Sequence, residues 1–147
     1  MKEKFITLIA LLTICLSGKA QTSISLKQLN GTTWQQIYPD PEDNTTIIKF
    51  SASTFTQTIE HPRLKSRSAH EFKYYLNNNI PTVFDFASVG KKDNGTYIIK
   101  YNYETGRVMS YKVPSITNST LKLHYLPIPG TIIGNKNGTD IIYKRVK

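Results

Sequence analysis

The chain has few of the residues that cross-link small domains through disulfides or that form catalytic and metal sites. Of its 147 residues one is cysteine, Cys15, so an intramolecular disulfide is excluded. No apolar run approaches the ~20 residues needed to span a bilayer as a helix. The stability of any folded domain must therefore come from an ordinary packed core.

Catalytic and metal-binding patterns are missing as well. The three histidines, His61, His70 and His124, do not have the spacing of a zinc site. The acidic turn at residues 40–43 has too few alternating carboxylates for a calcium loop. No serine lies in a glycine-framed nucleophile motif, and no acid–base pair can be placed in a shared cleft. We predict no catalytic residues, no metal site, no cofactor and no enzymatic activity.

The amino terminus has the pattern of a secretory signal peptide. Lys2 and Lys4 precede a run of about a dozen mostly apolar residues at 5–16, and the small residues Gly18 and Ala20 follow it. We predict cleavage after Ala20, which divides the chain into a signal peptide at 1–20 and one domain at 21–147. The protein is expected to be exported to the periplasm or the extracellular space, with no transmembrane segment after cleavage.

A lipoprotein acylated on Cys15 is the alternative. That processing usually requires a small residue directly before the cysteine, and Ile14 stands there. A single acyl chain would also give only a weak membrane anchor. Cleavage after Ala20 is favoured, and it removes the one cysteine.

The predicted mature chain is basic, with 16 Lys and Arg against 9 Asp and Glu, a net charge of +7. Arg63, Lys65 and Arg67 cluster in one loop-like stretch, while the other basic residues are scattered. The cluster is a candidate surface for an acidic partner; dispersed solubilising charge is the simpler interpretation. No nucleic-acid-binding motif is present, and export argues against such a partner.

Two-residue alternation recurs along the mature chain, whereas no helical stripe exceeds about two turns. Strands are predicted at Thr33–Tyr38, Thr45–Phe50, 53–60, 70–76, 82–87, 96–103, 107–113, Thr120–Leu126 and 139–146. Tight turns are predicted at 93–95 and 104–106, the second closing a hairpin, and Pro114 is expected to end a strand. One short helix is predicted at 23–29, and a loop at 127–138.

These short, regularly spaced strands predict an all-β fold, an antiparallel barrel or sandwich of eight or nine strands. The segment at 96–103 alternates most clearly. It places Tyr97, Ile99 and Tyr101 on one face, and Ile98 and Lys100 on the other.

Four segments resemble the lipocalin-like proteins exported by gut-type Gram-negative bacteria. They are LNGTTW at 29–34, FDFASVGK at 84–91, VPSITNSTLKL at 113–123 and IIYKR at 141–145. The resemblance spans most of the mature chain and implies an up-and-down barrel of about eight strands. It also implies that Arg145 packs over Trp34 at the closed end. Thr32 and Thr33 both separate Gly31 from Trp34, one residue more than the family's usual spacing.

Nine tyrosines in so short a chain suggest either a filled core or a ligand cavity. The first hypothesis is a monomeric carrier that holds a small hydrophobic or aromatic molecule inside the barrel. Its predicted ligand-binding residues are Phe55, Tyr97, Ile99, Tyr101 and Tyr111. The second is a protein-interaction module, such as an inhibitor or immunity protein, that uses the basic stretch Arg63, Lys65 and Arg67 and neighbouring aromatic side chains.

Overall fold

The computed structural model describes residues 23–127 and 136–146. The predicted signal peptide with Cys15, and most of the predicted loop at 127–138, lie outside the described residues. The described strands are β1 (Ile24–Ser25), β2 (Thr33–Tyr38), β3 (Thr45–Phe50), β4 (Thr54–His61), β5 (Ser66–Asn77), β6 (Asn94–Gly95), β7 (Tyr97–Asn102), β8 (Arg107–Ile116), β9 (Thr120–Leu126) and β10 (Thr139–Arg145). The helix α1 spans Leu26–Leu29, and short 3-10 helices span Pro62–Leu64 and Phe86–Ser88.

Eight of these strands form a closed barrel in the order β10-β2-β3-β4-β5-β7-β8-β9. Every neighbouring pair is antiparallel, and β10 closes the barrel by pairing with both β9 and β2. β1 and β6 form a separate two-stranded ribbon. The prediction of an all-β, up-and-down antiparallel barrel with a short N-terminal helix is confirmed. No helix in the two described segments has the length and apolar character needed to cross a membrane.

The strands follow the alternation of the sequence closely. β2, β3 and β9 have the predicted bounds, and the predicted turn at 104–106 joins β7 to β8 with Gly106 at φ +66°. Threonine and aromatic residues dominate β4, where they suit a half-buried pleated surface. β5 is longer than predicted, because its first residues pair with β4 beyond the aromatic part of the strand.

The strand predicted at 82–87 is absent. Asp85 instead begins the 3-10 helix Phe86–Ser88, since its carboxylate accepts hydrogen bonds from Ala87 N at 3.0 Å and Ser88 Oγ at 2.5 Å. This local capping outweighs the weak alternation of the segment. Residues 78–93 therefore form a connection that lies against the outside of the barrel.

Two other local predictions, at Pro114 and Gly95, are also wrong. Pro114 does not end β8, because the β8–β9 register shifts between Lys112 and Ser115 and an irregular position tolerates a residue with no N–H. Gly95 was expected to adopt a positive φ in a turn, but it pairs with Ile24 in extended backbone. A Cβ at Gly95 would lie 2.5 Å from Asn77 N, so glycine is required there by close approach.

The lower half of the barrel, defined as the end at which Trp34 lies, is densely packed. Trp34, Ile48, Leu76, Ile98 and Leu121 are all 0% exposed. The helix α1 covers this end and contributes the buried side chain of Leu29. A capping box begins α1: Gln28 N donates to Ser25 Oγ, and Ser25 N donates to the Gln28 side chain.

Trp34 is held in place from two sides. Its Nε1 donates to Thr32 Oγ1 at 2.7 Å, and that hydroxyl donates to the Leu29 carbonyl at 2.5 Å. The Arg145 guanidinium carbon lies 5.6 Å from the centre of the Trp34 ring. The predicted packing of Arg145 over Trp34 is confirmed, and the additional residue between Gly31 and Trp34 provides the hydroxyl that binds the indole.

Candidate functional site

Cross-strand pairing separates the strand residues into inward and outward sets, because directly paired residues share a face of the sheet. Ile98 pairs with Tyr111, and both belong to the main core inside the barrel. Alternation along β7 therefore directs Ile98 and Lys100 inward. Tyr97, Ile99 and Tyr101 point outward.

The five residues predicted to line one ligand site are thus divided between two places. Phe55 and Tyr111 lie inside the barrel, and their rings stack with centroids 6.3 Å apart. Tyr97, Ile99 and Tyr101 belong to a smaller cluster on the outside. This corrects the expectation of a single site, which had assigned the wrong face of β7 to the interior.

Lys100 occupies the interior position that the sequence analysis did not select. The residue is 2% exposed, and its Nζ lies 4.0 Å from the centroid of the Phe72 ring, 4.7 Å from that of Phe55 and 5.2 Å from that of Tyr111. Three aromatic faces therefore surround the ammonium group, which is a favourable but incomplete replacement for water. Burial lowers the pKa of Lys100 to about 8.

Within the described residues the Lys100 ammonium makes no hydrogen bond and no ion pair. Thr96 Oγ1 is the single described side-chain oxygen or nitrogen that is fully buried without a hydrogen-bond partner. Lys100 Nζ is not in that class, so a small part of its surface remains exposed. A buried cation without a counter-ion destabilises a fold and is typical of functional positions.

Phenol groups surround the same space. The rings of Tyr111 and Tyr125 lie 5.4 Å apart, and Tyr143 is close enough to Tyr111 to influence its ionisation. Burial, followed by the proximity of Tyr143 and Tyr125, raises the pKa of Tyr111, and burial raises the pKa of Tyr143. Both hydroxyls stay neutral at physiological pH and can donate hydrogen bonds.

The inner wall carries no carboxylate at any described strand position. The three acidic strand residues, Glu60, Glu71 and Asp140, each alternate with inward-facing neighbours and therefore point outward. The inward polar residues of the described strands are neutral or basic; they include Gln36, Gln57, His61, His70, Lys100, Asn102 and Arg107, together with several serines and threonines. The upper half of the barrel, at the end opposite Trp34, thus has a positively charged interior.

Apolar side chains line the upper half without being fully buried. Phe72, Met109, Tyr125 and Ile141 point inward and pack on the main core, yet each is only partly buried. In the lower half most of the inward apolar residues are completely buried, with Ile116 as a partly buried exception. Partial exposure of inward apolar groups is the feature expected of a binding cup.

The outer aromatic patch, defined here as Tyr75, Phe84, Phe86, Tyr101 and Tyr103, lies under and beside the 78–93 connection. Successive ring centroids in it are 4.8 to 5.2 Å apart. Phe84 is buried, whereas Phe86 is 54% exposed and Tyr103 is 56% exposed. The patch packs the 78–93 connection against the barrel and leaves the side chains of Phe86 and Tyr103 exposed to solvent.

The basic stretch predicted as a partner surface is exposed but partly neutralised. The Arg63 guanidinium is 2.6 Å from Asp43, and Arg67 Nε is 4.0 Å from Glu60. Lys65 follows the 3-10 helix in a left-handed conformation with φ +47°. Two of the three predicted partner-binding charges therefore already have acidic neighbours.

A concavity lies outside the barrel at its lower end. It is a polar cleft of about 210 Å³ between α1 and the β8–β9 turn, with Arg145 at its wall. Among the described residues no group of three or more His, Cys, Asp or Glu side chains could hold a metal ion. Nothing about this cleft indicates a ligand.

Sequence reasoning missed Lys100 and the half-buried residues Phe72, Met109, Tyr125 and Ile141. One signal was present: Lys100 interrupts a strand that is apolar on both faces, so one face had to bury a charge. The tyrosine-rich face appeared to be the interior because the cover provided by residues 78–93 was unknown.

Comparison with known proteins adds no relative: no protein-family model matches the chain, and neither a curated protein nor a solved structure shows significant similarity to it.

Proposed function

We propose that this chain is an exported, lipocalin-like binding protein that holds a small hydrophobic or aromatic molecule in the upper half of its barrel. The observation that carries this proposal is the incomplete burial of four inward apolar residues, Phe72, Met109, Tyr125 and Ile141. A closed eight-stranded barrel is just wide enough to be filled by side chains or to admit one small ligand.

Two further features support the proposal. The contact between Trp34 and Arg145 is the one that the lipocalin-like resemblance implies. The leader at 1–20 has the composition of a secretory signal, which fits a carrier or sensor outside the cytoplasm.

Native mass spectrometry of the protein purified from its own host's envelope tests this function. We expect an adduct of small-molecule mass that is lost on denaturation. Met109→Trp, which inserts an indole into the upper half, should abolish the adduct. Lys112→Trp is the matched control, since Lys112 lies three residues further along β8 and points outward.

The control should retain the adduct, and circular dichroism should show that both variants fold. A bare protein from the native envelope would argue that side chains fill the barrel, and retention of the adduct by Met109→Trp would place the ligand elsewhere. Either result would contradict the proposal.

The alternative is a protein-interaction module, as an inhibitor or immunity protein would be. The exposed aromatic edge formed by Phe86 and Tyr103 favours it, because aromatic side chains are enriched at protein interfaces. The ion pairs of Arg63 and Arg67 weaken it. A stable second polypeptide in the same mass spectrum, lost on Phe86→Ser, would support this alternative.

A further inference from the structure

The Lys100 ammonium is the most unusual buried group in the described chain. It is enclosed by the rings of Phe55, Phe72 and Tyr111 and makes no hydrogen bond or ion pair with any described residue. Aromatic faces attract a cation but supply no hydrogen-bond acceptor comparable to a carboxylate or water. Among the described residues the ammonium therefore lacks a hydrogen-bond acceptor, and an anionic or strongly accepting group of a ligand would supply one.

We propose that the ligand is an amphipathic anion, such as a fatty or aromatic carboxylate, whose acidic head binds Lys100 Nζ and whose apolar body extends toward the upper rim. This inference rests on the proposed ligand-binding function and specifies the chemistry of the ligand.

The described residues around Lys100 provide no internal counter-ion. The inward titratable residues on the strands around it include His61 on β4, His70 and Tyr74 on β5, Arg107 and Tyr111 on β8, Tyr125 on β9 and Tyr143 on β10. None of these carries negative charge at neutral pH. Glu71, next to His70 in sequence, points outward, and Glu104 in the β7–β8 turn lies 3.3 Å from His70 at the rim.

The same surroundings suit a carboxylate head. Tyr111 and Tyr143 keep their protons because burial raises the pKa of both, so their hydroxyls can donate to a second oxygen of the head group. Charge-assisted hydrogen bonds of this kind are short and strong. Arg107 at the rim adds long-range attraction for an entering anion.

The walls above Lys100 suit an apolar body. Phe72, Met109, Tyr125 and Ile141 present a half-buried apolar lining. The wall formed by β7 ends two residues beyond Lys100, which is about 7 Å at the usual rise per strand residue. The wall formed by β5 continues six residues beyond Phe72, which is about 20 Å. A chain of about ten carbons, similar in length to three or four strand residues, fits between these limits.

Isothermal titration calorimetry with decanoate and decanol on the mature protein tests the proposal, because the two probes share a chain and differ in the charge of the head. We expect wild type to bind decanoate at least tenfold more tightly than decanol. Lys100→Met should remove this preference while decanol binding persists. Lys112→Met, which removes an outward lysine and the same net charge, should leave the preference intact.

The outcomes separate the two proposals. Equal binding of both probes by wild type, or an unchanged preference in Lys100→Met, would overturn the anionic head group and leave the binding function standing. Loss of the preference for decanoate in Lys112→Met would show that the preference depends on the overall charge of the protein. That result would also overturn the proposed binding of an anionic head group at Lys100. Binding of neither probe by wild type would count against the proposed function itself.

Discussion

The two halves of the barrel are made from the same eight strands but are packed in opposite ways. In the lower half, large apolar residues such as Trp34 and Leu121 are completely buried, and Trp34 Nε1 and the Thr32 hydroxyl both make hydrogen bonds. In the upper half, apolar residues such as Met109 and Ile141 are only partly buried, and Lys100 occupies a position at which leucine would pack. The lower half is built for stability, whereas the upper half gives up stability.

This contrast is the one that we expect of a binding protein rather than of a filled barrel. Burying an unpaired ammonium is unfavourable, because the charge loses its hydration and regains only part of that energy from nearby aromatic rings. A fold selected for stability alone would have an apolar residue there. The presence of Lys100 there supports our proposal that a ligand enters the upper half.

The largest effect is expected from breaking the lower half. Trp34→Ala should reduce the free energy of unfolding by about 3–5 kcal/mol, because a fully buried ring is replaced by a cavity. Phe72→Ala in the upper half should cost about 1–2 kcal/mol, since that ring is only partly buried. Urea denaturation followed by fluorescence or circular dichroism measures both, and equal losses would refute the division of the barrel into two kinds of packing.

The next effect has the opposite sign. Lys100→Met should raise the free energy of unfolding at pH 7 by about 1–3 kcal/mol, because it keeps most of the length of the side chain and removes the buried charge. The outward substitution Lys112→Met should have little effect on stability and serves as the control. Destabilisation by Lys100→Met in urea titrations would mean that the aromatic cage fully compensates the charge, which contradicts our interpretation of the upper half.

The pH dependence of stability should follow from the same lysine. The pKa of Lys100 is about 8 in the folded protein and 10.5 when unperturbed, so the unfolded chain binds more protons between these values. Stability should therefore rise as the pH increases from 7 to 9.5, by about 1–2 kcal/mol. Above about pH 10 the trend should reverse, because Tyr111 and Tyr143 have raised pKa values and ionise more readily in the unfolded chain.

Chemical denaturation at several pH values measures this slope. The difference between wild type and Lys100→Met isolates the contribution of the lysine, since all tyrosines are shared by the two proteins. A difference that stays constant from pH 7 to 9.5 would show that Lys100 has an ordinary pKa.

The architecture could be predicted from the sequence where local patterns and long-range packing agree. β2 and β3 have the predicted ends because alternation, threonine content and turn residues all point to the same boundaries. The segment at 82–87 alternates too, but Asp85 forms a local cap there, and its hydrogen bonds decide the structure. A short alternating pattern beside an aspartate is thus weak support for a strand.

The candidate site was less predictable than the fold. Alternation in β7 separates Ile98 and Lys100 from Ile99 and Tyr101, but it does not say which face is inside. Both faces are largely buried, one by the barrel and one by the 78–93 connection. That connection packs through Phe84, and its position depends on contacts between residues distant in sequence, which a single sequence does not reveal.

The smallest effect is expected on the outer surface, in the stretch first considered as a partner site. Arg63→Ala removes an ion pair with Asp43 in which both side chains are more than half exposed, so the free energy of unfolding should change by at most about 0.5 kcal/mol. The affinity for a carboxylate probe should also stay unchanged, because Arg63 lies on the 3-10 helix outside the lumen. Calorimetry and urea denaturation of Arg63→Ala, with Asp43→Asn as the reciprocal variant, measure both quantities. A loss of probe affinity in Arg63→Ala alone would show that anions are attracted by the exposed basic stretch before they reach Lys100, and the separation between an inert surface and a functional interior would have to be abandoned.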